Sequence, residues 1–178
     1  SAEGIRQAVR YLWSKGHDRI GFLGGEPDSI VTIERKQAYS DALAELGLEE
    51  DPAAVKYGCF SAKGTKKRIL EIAETGVTAV VCISDLLACT AVKELIHAGY
   101  SVPEDISITG YDNLPPSEYS QPPITTLSQN RIHIGKTTFF MLQQMKNGIH
   151  IKSVMLRPEL IERESVREIC SRELPKEK

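Results

Sequence analysis

The sequence has few aromatic residues, no marked excess of either charge, and no long apolar run. Aromatic side chains make up 6% of its 178 residues and the net charge is −2. A membrane-crossing helix needs roughly 18 or more consecutive apolar residues, and nothing here approaches that. A domain that grips nucleic acid by its phosphates carries a basic face, which this charge balance does not supply. Nor is there a CxxC pair among the four cysteines, Cys59, Cys82, Cys89 and Cys170. Thiols so placed are expected to be buried or incidental in a reducing cytoplasm. His17, His97, His133 and His150 lack ligand spacing, so structural or solvent-facing roles are expected and no metal site. P-loop, HExxH, GxSxG and paired-carboxylate signatures are absent, and Gly24-Gly25 does not complete a GxGxxG turn. Asp112 with His133 or Ser84 makes a conceivable catalytic set, but no spacing supports it. The chain is therefore expected to be no enzyme and to use no cofactor.

What the sequence does contain is alternation. Ile5, Ala8, Val9 and Leu12 repeat at helical spacing, and Gly16 supplies the left-handed cap. Arg19 to Gly25 is a short apolar strand. Tyr39, Ala42, Leu43 and Leu46 mark a second helix, stopped by Gly47. Val55 to Cys59 is a weaker strand, and Ile69, Ile72 and Ala73 a third helix. Thr78 to Ile83 is a β-branched apolar run of the kind a strand covered on both faces requires. Ser84 and Asp85 cap a fourth helix that runs to Gly99. Ile106 to Tyr111 and Ile124 to Leu127 are strands, Arg131 to Asn147 a fifth long helix, and Ser153–Leu156 and Glu159–Ile161 closing strands. The tail from Arg172 is charged and expected to be disordered. Strands joined by helical crossovers imply an α/β fold with a doubly wound, mostly parallel sheet.

Ligands of such sheets bind beyond the carboxyl ends of the strands. The residues that follow the strands are Arg35 at the start of a helix, Phe60, Ser84-Asp85 and Asp112-Asn113. A guanidinium fork, an aromatic face, short hydrogen-bonding groups and a carboxylate suit a polyol or a nucleobase. Each also has a plainer role: Arg35 as an exposed helix residue, Phe60 as core, Ser84 and Asp85 as a cap, Asp112 as a turn residue.

The segments Gly16 to Gly25, Glu34 to Leu43, Gly99 to Asn113, Pro122 to Gln129 and Leu156 to Ser165 resemble, in order, motifs of the lactose/galactose-repressor family. The resemblance implies a periplasmic-binding-protein-like core that senses a small-molecule effector, sugar-like or purine-like, for a bacterial transcription regulator. It implies effector contacts at Arg35, Phe60, Ser84 and Asp112. Ser84 stands where the family usually has asparagine, and Asn113 replaces a second acid. It further implies a C-terminal subdomain over residues 1–128, a helix of an otherwise missing N-terminal subdomain over 129–150, returning strands over 151–165 and a tail over 166–178. That helix is expected to pack on a second copy or to be distorted. A homodimer is implied through Cys89, Thr90, Val92 and Tyr119, although Cys89 and Val92 also read as core. DNA contact would come only through an absent N-terminal domain. No membrane partner is expected. The alternatives are a periplasmic sugar-binding protein of a transporter and an α/β hydrolase.

Overall fold

The structure is a computed structural model and describes residues 2–58, 62–172 and 174. One six-stranded sheet runs through it in the order β2-β1-β3-β4-β5-β6. The first five strands are parallel: β1 Ile20–Gly24, β2 Val55–Tyr57, β3 Ala79–Cys82, β4 Ser107–Tyr111 and β5 Thr125–Ser128. The sixth, β6 Glu159–Ile161, pairs antiparallel with β5. The helices are α1 Ala2–Ser14, α2 Ile30–Glu45, α3 Ala62–Glu74, α4 Asp85–His97, α5 Pro115–Tyr119 and α6 Arg131–Lys146. This is the expected doubly wound α/β architecture. Every residue of β1, β3 and β4 is buried, because α1 and α2 pack together over one face and α3 and α4 over the other. Sandwiched parallel strands are mostly apolar, and the buried Thr109 hydroxyl of β4, which has no hydrogen-bond partner among the described residues, is an exception.

The core follows the helical stripes read from the sequence. Ile5, Ala8, Val9 and Leu12 of α1 are fully buried, as are Ala88, Ala91 and Leu95 of α4. Phe22 of β1 lies 5.1 Å from Tyr39 of α2, centroid to centroid, and the Tyr39 hydroxyl donates to the Ile20 carbonyl at 2.6 Å.

Three local expectations need correcting. Ser153 to Leu156 forms no strand: among the described residues no neighbouring strand offers it a ladder, and Val154 and Met155 lie exposed. The proline-rich stretch Pro115–Tyr119, whose composition suggests a loop between two strands, is a turn of helix with proline at its start, where a missing N–H costs nothing. Arg172 is anchored rather than free. Its backbone N–H donates to the Ser14 carbonyl at 2.9 Å, and its guanidinium pairs with Asp18.

His17 is fully buried. Its Nε2 faces the Arg167 carbonyl at 3.1 Å and so donates, which leaves Nδ1 to accept from the Thr78 hydroxyl at 2.9 Å. Burial holds the ring's pKa below the usual histidine value. The folded pKa is thus lower than the unfolded one, near 6.5. Stability carried by neutral His17 is complete above about pH 6.5 and falls as the pH drops towards the folded value. Urea midpoints of wild type are expected to fall between pH 7.5 and 5.5, and those of His17→Gln to fall less. Equal slopes would remove His17 from this account.

Candidate rim site at the carboxyl ends of the strands

Strand order reverses between β1 and β3: β1 leads into α2 on one face, and β3 into α4 on the other. This switch point is where doubly wound sheets open a crevice, and Arg35 spans it. Arg35 belongs to α2 and is only 6% exposed, so it is not a solvated helix residue. Its Nη1 donates to the carbonyl of Ile83, just beyond β3. Its guanidinium carbon sits 3.8 Å from the Tyr111 ring centroid, a cation–π stack. Its Nη2 lies 3.9 Å from Asp112 Oδ1, and its Nε is enclosed without an acceptor. Desolvation lowers the Arg35 pKa from its usual value, and the Tyr111 ring and the Asp112 carboxylate partly offset that.

Asp112 has strained backbone and is held in place by hydrogen bonds. It and Asn113 have left-handed backbone, with φ of 104° and 50°. The Asp112 N–H donates to the Leu127 carbonyl at 2.8 Å, and its Oδ1 accepts from Gln129 Nε2 at 2.7 Å. Ser84 is the N-cap of α4; its Oγ accepts from the Leu87 N–H at 3.3 Å, a role that does not use its own hydroxyl proton. Asp85, next in the chain, is fully buried. Its Oδ1 accepts from the Thr126 hydroxyl and its Oδ2 from the Leu114 N–H, both at 2.6 Å. Burial raises its pKa above the usual carboxylate value, against the pull of these donors. Asp85 is therefore a clamp joining α4, β5 and the loop after β4, and more than a cap.

Of the four residues expected at the site, Arg35, Ser84 and Asp112 meet on one edge of the sheet. Phe60 lies outside the described residues. Reading the sequence missed Tyr111, Gln129 and Arg163. Tyr111 and Gln129 were legible in principle, since each ends or follows a strand. Arg163 was not, because only the folded chain brings it to Asn113, 2.8 Å away. A cavity of about 550 Å³ lies at the opposite edge of the sheet, lined by Asp18, Arg19, Glu49, Glu50 and Asp51. Two of its acids are already engaged, Asp18 by Arg172 and Glu50 by Lys36, and it faces the strand starts. The switch-point geometry makes the rim the better candidate. Among the described residues no cluster of histidine, cysteine, aspartate or glutamate is arranged to hold a metal ion.

A family model described as a periplasmic binding protein-like domain matches residues 9–166. The chain belongs to that family. Within it, the chain groups with the lactose/galactose-repressor regulators. It is 36% identical over 172 residues to the HTH-type transcriptional repressor PurR of Vibrio atlanticus (strain LGP32), an alignment covering 94% of this chain and 51% of that protein. It is 35% identical over 164 residues to the HTH-type transcriptional repressor CytR of Escherichia coli (strain K12), covering 90% and 48%. This periplasmic-binding-protein-like chain thus spans about half the length of the curated relatives it matches. Among solved structures, the Escherichia coli transcriptional repressor ascG superposes with a TM-score of 0.87 at 27% identity, covering 93% of this chain and 62% of that one. The transcriptional regulator CelR in its cellobiose complex gives 0.81 at 33% identity, covering 92% and 51%.

Proposed function

We propose that this chain is the effector-sensing part of a bacterial DNA-binding transcription regulator, and that its rim is half of a cleft closing on a small polar metabolite of sugar or nucleobase type. The observation that carries this reading is Arg35, buried at the switch point and 3.9 Å from Asp112. A buried guanidinium with an enclosed, unpaired Nε–H costs stability, and such cost is characteristic of sites kept for recognition. Arg35 and Asp112 would grip ligand hydroxyls or ring nitrogens, Ser84 would donate one hydrogen bond, and Phe60 would cover an apolar ligand face. The protein is a binder rather than an enzyme, working by a shift between open and closed cleft populations. Its relatives carry repressor names, and one neighbour was solved with cellobiose. The repressor names favour this reading over a transporter's sugar-binding protein. Operator DNA would be read by a separate helix-turn-helix, in the reducing cytoplasm.

The test uses the full-length gene product. Cellobiose, ribose, adenine, guanine and hypoxanthine are screened by thermal shift. A true effector at about 100 times its Kd is expected to raise the Tm by about 5 °C and to change operator affinity. No shift with any of them, and no helix-turn-helix encoded in the gene, would sink the proposal.

Residues 129–150 fit a second lobe of the cleft. No residue of α6 is buried; Ile132, Phe139, Phe140, Leu142 and Met145 are each more than half exposed. So much clustered apolar surface marks a contact face. The 19.7 kDa chain taken alone is expected to associate beyond a dimer in sedimentation velocity, and Phe139→Ser with Phe140→Ser to remove that further association. A wild-type monomer with α6 protected from hydrogen exchange would contradict this. The full protein would pair through α4 and α5, where Tyr119 is 79% exposed and Cys89 half-buried. Val92 takes no part, being core at 1% exposure.

A further inference from the structure

The strained pair after β4 is held from two directions, and both holds come from the segments that flank α6. Gln129 follows β5, where the chain leaves the sheet for α6, and its Nε2 donates to Asp112 Oδ1 at 2.7 Å. Arg163 follows β6, where the chain returns, and its Nη2 donates to Asn113 Oδ1 at 2.8 Å. Arg163 Nη1 reaches the Ile124 carbonyl at 2.8 Å and the Ser117 hydroxyl at 3.3 Å, so it is anchored in the sheet's own end. Immediately after Gln129 the chain turns sharply: Asn130 has φ 45°, and its side chain caps α6 by accepting from the His133 N–H at 3.1 Å. Left-handed backbone at a non-glycine residue costs about 1–3 kcal/mol and persists only where the surroundings enforce it. Here the enforcement comes from the two connections themselves.

We propose that Gln129 is a positioning residue that couples the Asp112 carboxylate to the orientation of α6, with Arg163 as the fixed support at Asn113. Rotation of α6 about its first connection displaces Gln129, which stands two residues before the helix, while Arg163 stays anchored in the sheet. Asp112 then loses its lateral support, and the carboxylate swings. The converse also holds. Asp112 Oδ1 faces both Gln129 Nε2 and Arg35 Nη2, so a donor that binds this oxygen competes with Gln129 and biases the connection to α6. Linkage makes the two effects equal in free energy. The biological meaning rests on the rim being an effector site, but the coupling itself is a property of the ligand-free chain.

Hydrogen–deuterium exchange of the full chain without any effector therefore tests it. Gln129→Ala is expected to lower protection of the amides of residues 112–114 about 5-fold or more, the loss that follows from one hydrogen bond of about 1 kcal/mol. Asp112→Ala is expected to do the same at residues 129–131. Amides of β1 and β3 should stay as in wild type, which reports an intact fold. Gln129→Glu separates positioning from packing, because it keeps the side chain's size. At pH 7 it sets a second carboxylate against Asp112, with Arg35 from α2, Asp85 from α4 and Arg163 after β6 the other charges nearby, so protection should fall. At pH 5 the two acids can share a proton, and protection corrected for intrinsic exchange should recover. Gln129→Ala should show no such recovery. The coupling is overturned if either reciprocal loss is absent, or if Gln129→Glu behaves alike at both pH values. Neither result would bear on whether the rim takes a metabolite.

Discussion

Arg35→Ala is expected to weaken effector binding roughly 30- to 1,000-fold, the equivalent of about 2–4 kcal/mol, while leaving the fold and operator binding intact. Two losses combine: the charged fork that grips the ligand, and the cation that faces Asp112. Stability should change little, because removing Arg35 also removes the desolvation of a buried charge, seen in its lowered pKa. Arg35→Lys keeps the charge but not the planar stack on Tyr111 or the fork geometry, and should still lose about 10-fold or more. Titration calorimetry with whichever compound stabilises the wild type is the measurement. Binding within threefold of wild type in Arg35→Ala would remove Arg35 from the site.

The largest effect on stability is expected at Gly110. A Cβ there would stand 2.3 Å from Asp85 Oδ1 and 3.3 Å from both the Asp85 Cγ and an Ile124 methyl. Asp85 is not a flexible tip that can step aside, since Thr126 and Leu114 hold both its oxygens. Gly110→Ala should therefore cost about 2–4 kcal/mol, from overpacking and a broken buried hydrogen bond together, read as a lower denaturant midpoint. Asp85→Ala alone should also destabilise. The double variant should recover part of the sum, because the steric conflict is gone. Additive losses would mean that the two residues do not collide. Asp85→Asn is different: its oxygen can accept from the Leu114 N–H while its amide donates to Thr126. Because burial raises the Asp85 pKa, that carboxyl's contribution is present at low pH and lost as the pH rises through its folded value. Asp85→Asn should therefore gain on wild type as the pH climbs from about 4. A constant difference from pH 4 to 8 would refute the assignment.

How much of this was readable in advance depends on the range of each interaction. The helical stripes, the fully apolar strands and the glycine caps are local patterns, and they placed nearly every element. The Ser153–Leu156 strand failed because a strand is a property of pairs, and among the described residues no strand lies beside that segment. The rim followed from one topological rule, that residues after parallel strands share an edge, and Arg35, Ser84 and Asp112 lie there. What hid was the second layer. Asp85 looked like a cap because Ser84 precedes it, and nothing in the spacing shows that Thr126 and Leu114 converge on its two oxygens. Arg163 and Asn113 are 50 residues apart, a separation that no periodicity can bridge.

Both margins of the sheet, β2 and β6, are only three residues long. Brief borders give an incoming strand few rungs to pair with, a common defence against fibril growth. Copies that cling to one another through the greasy side of α6 should then form amorphous, detergent-soluble clumps that leave amyloid dyes dark.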